Sequence, residues 1–194
     1  SQGVTNPSTE WTIMFQAGCT TMAAWANAAN CAMLAEAFRI HGDEELCAYY
    51  TEEAVKAYRY AEKQEWTQLD DLQNIGTSGM RGRDFKQMAA AFLYNLTGER
   101  SWEDVMALES VVKDGKSPVF SKQGRNQFYQ IWGTAAYLTC PHERHYPELY
   151  ANMKSSVNHQ ADENNVNHMY ARPSRRTAND PRWQTSENLQ MVML

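Results

Sequence analysis

Glu187 follows Trp183 by four residues, where the polar run "NDPRWQTSENLQ" (179–190) turns toward a helical pattern. Thr185 or Ser186 can cap that helix, which puts Glu187 in its first turn. An acid there complements the helix dipole and needs no further role. It is also placed for general-acid chemistry. A carboxyl group beside a tryptophan, under a closing loop, can hold its proton once bound substrate excludes water. The helix N-terminus favours the charged form, so substrate burial has to outweigh it. Upstream, residues 159–183 form a long polar connection. His168, Arg175, Arg176 and several asparagines offer hydrogen-bond donors and acceptors, and Tyr170 and Trp183 offer flat apolar faces. Hydroxyls to bond and C–H faces to stack on are what a sugar presents. The competing reading is a solvated surface loop, although connections longer than about 12–15 residues inside a domain are usually functional or disordered.

Other polar and aromatic residues carry less. Trp25, Trp102 and Trp132 fall at helical spacing and read as core. His142 and His145 flank a turn at Pro141 and read as surface residues. "RGRD" (81–84) opens a helix, so its Arg or Asp either faces a cleft or sits in a solvated first turn. Cys19, Cys31, Cys47 and Cys140 form no CxxC pair, so they read as free thiols rather than as a zinc site or a disulfide framework. No phosphate-binding glycine loop, HExxH or GxSxG motif is present.

The elements that must position these residues are helices. Helical periodicity predicts segments at 20–42, 43–64, 81–98, 101–115, 125–140 and 145–160, with a last helix from about Ser186. Gly42 and Gly98 follow two of them as C-terminal stops. Asp43, Glu44 and Glu45 open the second, and Ser101 with Asp104 resembles a capping box on the fourth. Strand alternation is nearly absent, so the class is all-α. The stretches "AFRIHGDEEL", "LYNLTGERSW" and "AYLTCPHERHY" share one shape: a helix end, a tight turn, then charged residues opening the next helix. They mark three αα-hairpins. Their irregular spacing and long connections suit a closed α/α toroid better than a regular tetratricopeptide array.

The 194 residues are 43% hydrophobic, enough for a packed core, and carry a net charge of −5. The negative balance argues against a nucleic-acid partner. No apolar run reaches the ~20 residues of a membrane span, and the opening "SQGVTNPSTEW" lacks the pattern of a signal peptide.

These hairpins, "AAAFLYNLTGERSWEDVM" above all, resemble the helix pairs of glycoside hydrolase family 9, cellulases built on an (α/α)6 barrel. The tail resembles the family more specifically. Asp180, Trp183 and Glu187 stand in the order of its signature, with the Trp-to-Glu spacing kept and the Asp-to-aromatic spacing shortened. The resemblance implies that Glu187 is the general acid of an inverting hydrolase of β-1,4-glucan bonds. It implies that Trp183, Asp180, Arg175, Arg176, His168 and Tyr170 contact substrate, with "ARPSRR" (171–176) in place of the family's His-His-Arg run. The family's paired-aspartate base motif has no counterpart here. The chain therefore matches the C-terminal part of such a catalytic domain, as a single all-α piece (residues 1–194) with little activity alone. The resemblance also implies an oligo- or polysaccharide substrate, a secreted or periplasmic setting, and association through the exposed edge of a partial barrel. No cofactor or metal site is read from the sequence; family members bind calcium, and no acidic loop here marks such a site. Two alternatives stand beside this reading. One is a hydrolase of other short oligosaccharides, such as glucosamine-containing ones. The other is a non-catalytic helical-repeat scaffold that binds protein.

Overall fold

The computed structural model describes residues 20–64, 82–121 and 128–162. Six helices and one two-stranded ribbon make up these residues: α1 (Thr21–His41), α2 (Glu44–Lys63), α3 (Gly82–Thr97), α4 (Arg100–Glu109), β1 (Phe120–Ser121), β2 (Phe128–Tyr129), α5 (Ile131–Leu138) and α6 (Pro147–Ala161). The class is all-α, as the periodicity predicts.

Local chemistry sets most of the boundaries. Thr20 caps α1 by accepting the Ala23 N–H at 3.1 Å, and Asp43 caps α2 by accepting that of Leu46 at 3.0 Å. Gly42 and Gly98 end α1 and α3 with φ of 88° and 68°, the left-handed conformation in which a side chain is strained. Three consecutive hairpins result: α1–α2, α3–α4 and α5–α6, each with its two helices in contact.

α3 is the centre. It packs against α1, α2, α4 and α5, and every residue from Gln87 to Asn95 is buried. A helix buried around its whole circumference needs apolar or small residues on all sides. Ala89, Ala90 and Ala91 provide them, facing an α1 whose buried positions are also mostly alanine: Ala24, Ala28, Ala29, Ala32 and Ala35. Above this close contact Trp25, Tyr58 and Trp102 form an edge-to-face chain, with ring centroids 4.4 and 4.8 Å apart. Each such pair contributes about 0.5–1.5 kcal/mol beyond the area it buries. Trp25 and Trp102 are thus core or core-packed as expected, whereas Trp132 remains 36% exposed. Cys31, Cys47 and Cys140 are free thiols, as read from their spacing.

Two predicted helices are corrected. The segment 101–115 is helical only to Glu109, because the buried Gln130 takes over its end. Its amide donates to the Glu109 carbonyl and accepts the Val111 N–H, both at 2.9 Å, so residues 110–113 leave the helix. The predicted capping box is not formed either. Helix α4 starts at Arg100, one residue earlier, and Asp104 instead receives the Tyr146 hydroxyl at 2.9 Å. Within the segment 125–140, Phe128 and Tyr129 are strand, paired with Ser121 and Phe120, and the helix runs only from Ile131 to Leu138.

Candidate functional site

The hairpins place their ends in two sets. At one end the turns of the second and third hairpins stack. The His142 ring packs on Gly98, its Nε2 lies 3.1 Å from the Asn95 carbonyl, and the Tyr94 hydroxyl donates to the Glu143 carbonyl. At the other end lie the starts of α3 and α5, the end of α4, and the β1–β2 ribbon. Gln160, near the end of α6, joins that ribbon by accepting the Val119 N–H at 2.9 Å and donating to the Phe120 carbonyl at 3.1 Å. Helix α6 therefore ends against Val119 and Phe120, at the ribbon.

The residues singled out in the run 163–194, Glu187, Trp183, Asp180, Arg175, Arg176, His168 and Tyr170, lie outside the described residues. The ribbon end has its own polar cluster. Asp84 is 1% exposed, so it is not the solvated first-turn acid that "RGRD" suggests. One carboxylate oxygen accepts the Tyr129 N–H at 2.9 Å, fastening the ribbon to the start of α3. Glu109 accepts from Lys86 at 2.9 Å and lies 3.3 Å from Arg83. The Lys86 ammonium also stands 5.4 Å from the Trp25 ring centroid. A sealed carboxylate and one committed to two cations are poor general bases. Their work is to hold the helix ends in place beneath the long connections.

The second cluster lies at the short-turn end. Glu103, in the first turn of α4, is completely buried. It accepts three hydrogen bonds: the Tyr137 hydroxyl at 2.7 Å, the His145 backbone N–H at 2.8 Å, and a contact from His145 Nδ1 at 2.6 Å. Burial followed by the charge of Glu103 pushes the Tyr94 hydroxyl up to about 12. Burial and the hydrogen bond to Glu103 push Tyr137 up further. His145 keeps 30% of its side chain exposed, so it is a surface residue as expected, but one fixed from beneath by a buried carboxylate.

Sequence reasoning finds neither cluster. Asp84 and Tyr129, or Glu103 and His145, lie more than forty residues apart and share no motif. The available hint is compositional: an acid amid the apolar face of α4 and histidines at a turn. Among the described residues, no three His, Cys, Asp or Glu side chains gather as a metal-ligand set. No helix among them is long and apolar enough to cross a membrane. Neither models of known protein families nor curated proteins give a match to this chain.

Proposed function

We propose that this chain is part of an inverting glycosidase of α/α-toroid architecture, acting on β-1,4-glucan-type bonds, with Glu187 as general acid. The observation that supports the reading is the sorting of ends. The turns at Gly98 and His142 stack at one end, while at the other α6 closes on Val119 and Phe120 of the connection that follows α4. That arrangement suits a toroid whose long connections gather over one mouth; residues 159–161 of the predicted connection belong to α6, and the sugar-suited remainder follows that helix in sequence. Helices α1, α3 and α5 then form successive inner helices and α2, α4 and α6 the outer ones.

In the mechanism, Glu187 protonates the leaving glycosidic oxygen. A second carboxylate activates water on the opposite face of the sugar, far enough away to leave room for that water. Trp183 and Tyr170 stack on sugar faces, and Asp180, His168, Arg175 and Arg176 bond hydroxyls. The reading assigns no base within these residues. The family resemblance puts it on a paired-aspartate segment not found in this sequence.

The test uses the native protein that carries this sequence. Glu187→Gln is expected to lower kcat on cellooligosaccharides by about 10²–10⁴-fold. The loss should shrink sharply on a dinitrophenyl cellobioside, whose leaving group needs no proton. Unchanged hydrolysis of both substrates would remove Glu187 from the mechanism. Cleavage of glucosamine-containing oligosaccharides instead of glucans would reassign the substrate class.

A further inference from the structure

We propose that the cavity in front of His145 binds a neutral polyhydroxylated ligand of mono- to disaccharide size, anchored by the imidazole. The cavity holds about 430 Å³ and opens between residues 110–113 and the first turn of α6. Its size falls in the ordinary range of small-molecule sites. Lys113, His145, Tyr146, Glu148, Leu149 and Asn152 line it.

His145 is positioned for the role. The buried Glu103 carboxylate lies 2.6 Å from Nδ1 and also holds the His145 backbone N–H at 2.8 Å. Such a carboxylate fixes the proton on Nδ1 and orients the ring, which leaves Nε2 on the exposed edge. Nε2 accepts a hydrogen bond when the ring is neutral and donates one when it is charged. A sugar hydroxyl can answer either state, because it both donates and accepts. Asn152 and Glu148 add further polar partners, while Tyr146 and Leu149 add apolar surface for C–H groups.

Charge selects the ligand class. The lining carries one acid, Glu148, and one cation, Lys113. The Lys113 ammonium is held by the Ser110 carbonyl at 3.0 Å, and Arg100 lies 3.6 Å from Asp104. The lining charges of Glu148 and Lys113 offset each other, so an ion of either sign finds no net field there, whereas a neutral polyol needs none. A purely structural tie explains why Glu103 is buried with three donors. It does not explain a part-exposed imidazole on a cavity lined by Asn152, Glu148 and Lys113 beside Tyr146 and Leu149. The site is built from described residues alone and does not depend on Glu187 being catalytic.

The experiment is an NMR titration of the 194-residue chain with cellobiose, following the His145 ring and the Asn152 side-chain amide. A parallel arm uses inorganic phosphate. Saturable shifts at both residues with cellobiose are expected, and they should persist in Glu187→Gln. His145→Ala should abolish binding. Asn152→Ala, on an α6 position that Glu103 does not touch, should weaken it by about three- to tenfold with the fold intact, the cost of one lost hydrogen bond. The proposal is overturned if cellobiose leaves the His145 ring unmoved, if phosphate alone shifts it, or if Asn152→Ala titrates like the wild type. Cellobiose shifts at His145 together with unchanged hydrolysis in Glu187→Gln would retain this site while removing the glycosidase reading.

Discussion

A single carboxylate shows how much one residue can hold. Glu103 collects donors from α5, through Tyr137, and from the turn before α6, through both the backbone and ring of His145. Truncating it to alanine leaves those donors facing a dry cavity, so Glu103→Ala is expected to cost about 3–5 kcal/mol in urea unfolding. Glu103→Gln keeps one acceptor but turns an amide N–H₂ toward His145 Nδ1, which forces the other tautomer. Its cost should be smaller, about 1–2 kcal/mol. An equal loss in both variants would mean that shape rather than hydrogen bonding matters there. The buried tyrosines give a second residue-scale prediction. Burial, with nearby acids, raises the ionisation of Tyr58, Tyr94 and Tyr137 above the ordinary value of 10.0. The folded chain then keeps these protons while the unfolded chain releases them. Their contribution to stability is therefore complete below about pH 10 and declines as pH rises toward and past 12. Alkaline titration of tyrosinate absorbance, followed together with helical circular dichroism, measures this. These three should ionise only as the helical circular dichroism is lost. Ionisation of these three while the helices remain folded would contradict it.

Where a chemical rule acts within a few residues, the sequence states the element plainly. Thr20, Asp43, Gly42 and Gly98 mark their helix ends by capping and by left-handed φ, and all four stand where the pattern puts them. The rule fails where a distant residue intervenes. Gln130 ends α4 from across the fold, and Tyr146 removes Asp104 from its local cap. The β1–β2 ribbon is too short for alternation to show, and its anchor, Asp84, lies two elements earlier. The candidate site follows the same division. The sugar-suited run is visible because its composition is local, while Glu103 and His145 are invisible because only the turn stacking brings them together. The two turn glycines sharpen the point, since they look alike in sequence and differ in surroundings. A Cβ on Gly42 would meet nothing within 4 Å, so Gly42→Ala bears only the left-handed penalty of about 1–2 kcal/mol. A Cβ on Gly98 would lie 3.0 Å from His142 Nδ1. Gly98→Ala therefore adds displacement of a ring that is bonded to Asn95, and should cost about 1 kcal/mol more than Gly42→Ala. Thermal unfolding of the two variants side by side measures the difference, and equal losses would show that the turns are not coupled.

On the scale of the molecule, the row α1–α3–α5 is unevenly covered. The central α3 is enclosed, whereas α1 presents Met33 and Leu34, each 38% exposed, and Ile40, 74% exposed. The neighbouring α2 adds Tyr49 at 55%. Scattered apolar residues on a surface need no explanation, but Met33 and Ile40 stand two turns apart on one face of α1, and apolar surface repeated along a helix face suits an interaction site. Under the toroid reading, the outer face of α1 is where a further hairpin packs, in the way α3 packs on its inner face. A chain studied alone then has an apolar edge to cover, and a second copy is the available partner. Sedimentation velocity of the 194-residue chain is expected to show concentration-dependent dimers. Leu34→Glu with Ile40→Glu should return it to monomer with unchanged helical content, because both side chains already face water and neither belongs to the core. A strict monomer at every concentration would count against an apolar docking face on α1. So would dimers that survive the double substitution, because the contact would then lie elsewhere on the molecule.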